Sequence, residues 1–140
     1  MKNNELLIAL CGYLPYGVKA YHSNQPDALT ITLDHKTYTT KDVGLSVVLD
    51  SEDWKPMLMP ISYLTQQITI NGETFCPMKE LAANCIDGFN AVAKSIENVP
   101  ISLWPHWVIE KLNSWFIDYR GLISNGLAID VTTLDKNPYA

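Results

Sequence analysis

An Asn-Gly pair set between β-forming residues is the tightest constraint in this chain: Ile68-Thr69-Ile70-Asn71-Gly72-Glu73-Thr74-Phe75. A two-residue type I′ hairpin needs positive φ at both central positions, and Asn-Gly meets that need at low steric cost. The segment predicts two short antiparallel strands, so the fold must contain β-structure.

The first half adds more of the same kind. Leu29, Ile31 and Leu33 alternate with Thr30 and Thr32, the period of a strand with one face on a core. Val18 to His22 reads as a strand, Thr37 to Thr39 as a continuation of the ribbon, and Leu45 to Leu49 as a further strand. Short strands joined by short turns argue for antiparallel pairing, because parallel strands need long crossovers. Trp54 to Pro60 holds two prolines, Pro56 and Pro60, which exclude an ordinary helix interior. That segment reads as a bent apolar stretch lying on the core.

Helical spacing governs the rest. Leu6, Leu7, Leu10, Cys11 and Leu14 recur at helical intervals until Pro15-Tyr16-Gly17 stops the helix. Leu81, Cys85, Phe89, Val92 and Ile96 form one stripe, predicting a helix over 78–97. Trp104, Trp107, Val108, Leu112, Trp115 and Phe116 form a broader one, predicting a helix over 102–117 that covers the sheet. Residues 118–130 read as a turn, a short helix, a glycine stop and a final strand, and residues 133–140 as a tail. The fold class is α+β: one domain, 1–140, in which two long helices from the second half pack on a small antiparallel sheet of three to five strands.

Composition narrows the function. Apolar residues make up 47% and charged residues 18%, with a net charge of −5, which excludes a disordered chain. The lysines and the single arginine, Arg120, are scattered, whereas phosphate-tracking surfaces cluster their cations; nucleic acid is disfavoured as a partner. The apolar run Leu6–Cys11 lacks a cleavage site, and no stretch approaches the ~18 apolar residues of a membrane span. The reading is cytoplasmic, with no membrane partner. Cys11, Cys76 and Cys85 contain no C-x-x-C pair and read as reduced thiols, with Cys11 and Cys85 buried on apolar stripes. No cofactor and no metal site is implied.

Leu14-Pro15-Tyr16-Gly17-Val18-Lys19, Lys55-Pro56-Met57-Leu58-Met59-Pro60 and Asp118-Tyr119-Arg120-Gly121-Leu122-Ile123 followed by Gly126-Leu127-Ala128 resemble segments of a group of small proteins from gut Bacteroidetes and their phages or prophages. The order of the segments matches as well. They cover about a fifth of the chain, and the stretch from Gln66 to Asn98 has no matching pattern. The resemblance implies a phage or mobile-element origin and carries over no catalytic residue.

Candidate sites are few. Asp118-Tyr119-Arg120 is the leading one, because a guanidinium fork grips carboxylates or phosphates at two points. The commoner use of such an arginine is an internal ion pair, here with Asp118 or Asp130, locking the turn to the body. Trp107, at the edge of its stripe, is the candidate exposed anchor for a partner. His106 has no evident partner for general-base chemistry. Asp50-Ser51-Glu52-Asp53 lacks calcium-loop spacing, and Ser62 and Ser124 lack a nucleophile setting. No residue reads as catalytic. The leading expectation is an accessory protein of a phage or mobile element that binds a protein, possibly itself. The alternative is an enzyme or small-molecule binder with an anion pocket near Arg120.

Overall fold

A computed structural model of the protein describes residues 2–22, 27–33, 42–83, 100 and 103–140. It is a mixed α+β fold. Helix α1 (Lys2–Tyr13) leads into strands β1 (Lys19–His22), β2 (Leu29–Thr32) and β3 (Asp42–Gly44). Helix α2 (Leu45–Asp50) and strand β4 (Trp54–Pro60) follow, then β5 (Ile68–Ile70) and β6 (Glu73–Phe75). Helices α3 (Pro77–Ala83) and α4 (His106–Ser114) precede two dipeptide strands, β7 (Ile117–Asp118) and β8 (Ile129–Asp130).

The main sheet runs β3-β2-β1-β4-β7, with β8 also on β4. It is six-stranded and mixed, not a purely antiparallel sheet of three to five strands. β1 pairs antiparallel with β2, its neighbour in sequence, as expected of short strands in succession, and also antiparallel with β4, which lies about thirty residues further on. β3 runs parallel to β2, and β7 and β8 run parallel to β4. The parallel partners of β4 arrive from the far end of the sequence, where long crossovers make such pairing possible. Two-residue strands carry too little periodicity to announce themselves.

β4 is the pivot. Met57, Leu58 and Met59 are all buried, so the apolar run between the prolines is a central strand rather than a bent cover. Pro60 is its last residue, and Met59 between the prolines keeps its N–H, which bonds the Phe116 carbonyl at 2.7 Å. The 45–49 stretch is helical, not extended. Leu45 and Val48, three apart, are its buried residues, a helical spacing that burial selects over the β-propensity of valine. The expected strand at Thr37–Thr39 and the helix beyond Ala83, with Cys85, fall outside the described residues.

The hairpin forms as its turn residues require. Ile68 pairs with Phe75 and Ile70 with Glu73, and Asn71 and Gly72 take φ of 50° and 84°. β5 and β6 form a separate two-stranded sheet.

Two faces differ from their sequence reading. On α1 the buried positions are Leu6, Ala9, Leu10 and Tyr13, while Leu7, Ile8 and Cys11 are exposed. The expectation of a buried Cys11 is corrected: α1 is apolar on most sides, so spacing alone does not fix its inward face. Leu33 is 71% exposed because β2 ends one residue earlier.

The tryptophan-rich helix is shorter than 102–117. Pro105 holds an extended ψ of 143° at its N-cap, and the helix closes at Ser114. Past it, Phe116 adopts φ of 57°. A left-handed non-glycine residue at a helix C-terminus costs about 1–2 kcal/mol, so contacts must hold it there. Nor do residues 133–140 hang free. Tyr139 is buried, and its ring stacks on Phe116 with centroids 3.8 Å apart and planes 11° from parallel.

Candidate functional site

The corner after α4 gathers most of the residues that the sequence singles out. Its inner side is a set of buried polar groups, each with a partner. The close approach of α1 to α4 requires Gly12, since a Cβ there would lie 2.8 Å from the Asn113 amide nitrogen. Asn113 is itself buried, and its Oδ1 accepts the Tyr119 hydroxyl at 2.8 Å. The Tyr13 hydroxyl donates to the Ile117 carbonyl at 2.5 Å, linking α1 to β7. Burial pushes the Tyr13 phenol well above its usual range, and neighbouring Tyr119 and Asp118 add to the rise.

Asp118 is 5% exposed and organises the turn that follows. One carboxylate oxygen accepts the Leu122 N–H and the other accepts the Ile123 N–H, both at 2.9 Å. Gly121, with φ of +78°, lets the chain double back to present those two amides. Leu127 N–H then bonds the Leu122 carbonyl at 2.9 Å, closing the loop ahead of β8.

Arg120 faces solvent rather than the buried set. Its guanidinium carbon sits 5.4 Å from the Tyr119 ring centroid, within cation–π range. The expected ion pair is not what forms. Asp118 spends its oxygens on backbone amides, and Asp130 accepts from the N–H and hydroxyl of Thr132. A buried carboxylate next to two inward-pointing N–H groups is satisfied there without a distant side chain.

Asp118, Tyr119 and Arg120 line one open groove of about 460 Å³ with Pro60, Ile61, Ser62, Gly121, Ile123 and Ser124. Ser62 and Ser124, which carry no nucleophile motif in the sequence, contribute their hydroxyls to this groove only through the fold. What brings Ser62 close is the pairing of Pro60 with Asp118, which sequence spacing does not reveal. Trp107 is 37% exposed on α4 and is not among the lining residues. His106 meets Glu110 at 2.9 Å one helical turn away, with both side chains solvent-facing. Similar open grooves lie beside Phe75, Lys111 and Trp115 and beside Lys19, Asp27 and Lys136. In the first, Lys111 already sits over Trp115 at 5.9 Å; in the second, Lys19 Nζ already donates to the Pro138 carbonyl at 3.0 Å.

No family model, no curated protein and no solved structure matches the chain. Among the described residues no group of three or more His, Cys, Asp or Glu is placed to hold a metal ion, and no helix is long and apolar enough to cross a membrane. The expected phage or prophage origin in Bacteroidetes, and the protein-binding label attached to it, are corrected on these findings. In the structure Lys55–Pro60 lies within the central strand β4, and the turn over Asp118–Ile123 begins at the residue paired with Pro60.

Proposed function

We propose that the protein binds a small ligand carrying a carboxylate and an apolar body, held in the Arg120 groove. The observation that supports this is the pairing of an exposed guanidinium with a groove whose walls are Pro60, Ile61 and Ile123 and whose hydroxyls are Ser62 and Ser124. A guanidinium offers two parallel N–H donors that match the two oxygens of a carboxylate. Asp118 does not occupy the guanidinium, because its two oxygens accept the Leu122 and Ile123 N–H groups. The Tyr119 ring beneath the guanidinium is fixed through Asn113, which orders the cation before the ligand arrives and lowers the entropy cost of binding. The thiols of Cys11 and Cys76 are unpaired, which fits action in a reducing compartment such as the cytoplasm.

Titration of the labelled protein with benzoate, followed by amide resonances, tests the reading. Saturable shifts are expected at Arg120, Gly121 and Ser124. Arg120→Ala weakens binding by about tenfold or more, the loss of a charge-assisted bond, and Arg120→Lys restores only part, since it keeps the charge without the fork. Inorganic phosphate, an anion without an apolar body, binds more weakly than benzoate. Parent-like titration of Arg120→Ala, or no saturable shift with the parent, refutes the reading.

A further inference from the structure

The segment Asn137-Pro138-Tyr139 touches four separate parts of the molecule. The Tyr139 hydroxyl donates to the Met57 carbonyl at 2.7 Å on β4 and accepts the Lys19 N–H at 2.8 Å on β1. Its carbonyl accepts the Asn71 N–H at 2.7 Å from the hairpin turn. The Asn137 amide donates to the Thr69 carbonyl at 2.9 Å, and its oxygen accepts the Tyr139 N–H at 2.9 Å. The fourth contact is the flat stack on Phe116.

Phe116 is where the clasp meets the groove. Its left-handed backbone turns the chain out of α4, and its carbonyl accepts the Met59 N–H at 2.7 Å. Immediately beyond it, Ile117 and Asp118 pair with Met59 and Pro60. Pro60 and Asp118 both line the Arg120 groove. A stack that clamps Phe116 in a conformation its side chain disfavours therefore also fixes the register of the two strands from which the groove is built. Two-stranded hairpins have little stability of their own, so the same three residues also dock β5–β6 onto the main sheet.

We infer that Asn137–Tyr139 is a conformational clasp: seated, its Tyr139 ring holds Phe116 and the β4–β7 junction in place and keeps the Arg120 groove in its binding shape; released, it lets both relax. The coupling to ligand rests on the carboxylate-binding reading, whereas the coupling to the β4–β7 junction does not.

Amide hydrogen exchange and benzoate titration separate the two. In Tyr139→Leu, which fills the space without a flat ring, exchange at Met59 N–H rises by about tenfold or more through local opening, and the benzoate shifts at Arg120 and Gly121 weaken. Tyr139→Phe keeps the stack and loses the phenol bonds, so Met59 stays near the parent's protection and benzoate still binds, while Lys19 N–H exchanges faster. Should Tyr139→Leu fail to fold, Tyr139→Met carries the same comparison, and Tyr139→Phe by itself still reads whether ring or hydroxyl protects Met59. Unchanged Met59 exchange in the Leu variant overturns the clasp, as does a Phe variant that loses Met59 protection to the same degree. A parent that ignores benzoate while Met59 responds to Tyr139→Leu overturns the ligand reading and leaves the clasp standing.

Discussion

The two sides of the corner after α4 are made from adjacent residues yet obey different physics. On the inner side, Tyr13, Asn113, Asp118 and Tyr119 are buried, and their polar atoms bond to backbone or to each other. On the outer side, Arg120, Ser62 and Ser124 face solvent. A buried polar atom without a partner costs far more than an exposed one. Inner substitutions should therefore be read out in stability and outer ones in binding. Asp118 and Arg120, two residues apart, are the sharpest pair on which to break that division.

The largest effect belongs to Asp118. Its carboxylate satisfies two amides, one of them on buried Leu122, and hydrogen bonds to a charged group contribute roughly 1.5–3 kcal/mol each. Asp118→Ala should lower unfolding free energy by about 3 kcal/mol, allowing for partial access of water to the second amide. Asp118→Asn keeps one acceptor oxygen and should lose about half as much. Urea unfolding checks both; an Ala variant within about 1 kcal/mol of the parent would mean that the turn closes without its carboxylate.

Tyr13 comes next. Removal of its hydroxyl leaves the buried Ile117 carbonyl without that donor, a loss of about 1–2 kcal/mol. The phenol's raised pKa adds a signature in pH. A group whose folded-state pKa exceeds its unfolded value gives stability through its protonated form. That stability is complete below the ordinary tyrosine value of 10.0 and drains away as pH rises above it. Burial raises Tyr139 in the same direction. The parent should lose stability steeply above about pH 10, and Tyr13→Phe should lose it less steeply, since one of two such groups is gone. Urea midpoints measured across that range give the slopes, and equal slopes would place Tyr13 outside the alkaline transition.

What the sequence makes legible follows the same local-versus-distant line. The Asn71-Gly72 hairpin and the alternation at Leu29 and Ile31 are written within a few residues, and both appear where expected. The parallel pairing of β4 with β7 and β8 is not legible, because it joins residues 58 (Met59 with Ile117) and 72 (Met57 with Ile129) apart in runs of two. Tyr139 is harder still: its neighbours Lys136, Asn137 and Pro138 read as solvent-loving punctuation, and only the cavity formed by β1, β4 and Phe116 makes the ring a core residue. The candidate tripeptide was visible as a place but not as a division of labour. Arginine beside aspartate suggests an ion pair, and nothing in the spacing shows that two backbone amides reach the carboxylate first.

Arg120 therefore supplies the smallest stability effect and the most discriminating one. An internal ion pair with Asp118 or Asp130 would make Arg120→Ala cost about 3–5 kcal/mol if buried, because it would strand a partner charge. Neither carboxylate is such a partner, since both are bonded elsewhere, and among the described residues the guanidinium's contact is the face of Tyr119. An exposed cation–π contact contributes about 0.5–1 kcal/mol, part of which returns when water takes its place over the ring. Arg120→Ala should thus unfold within about 0.5 kcal/mol of the parent, with Arg120→Lys indistinguishable from it. Tyr119→Phe, which removes the bond to Asn113 on the inner side, should cost more than either. If Arg120→Ala instead unfolds more readily than Tyr119→Phe, the outer side is holding the corner together, and the separation of stability from binding across these two residues fails.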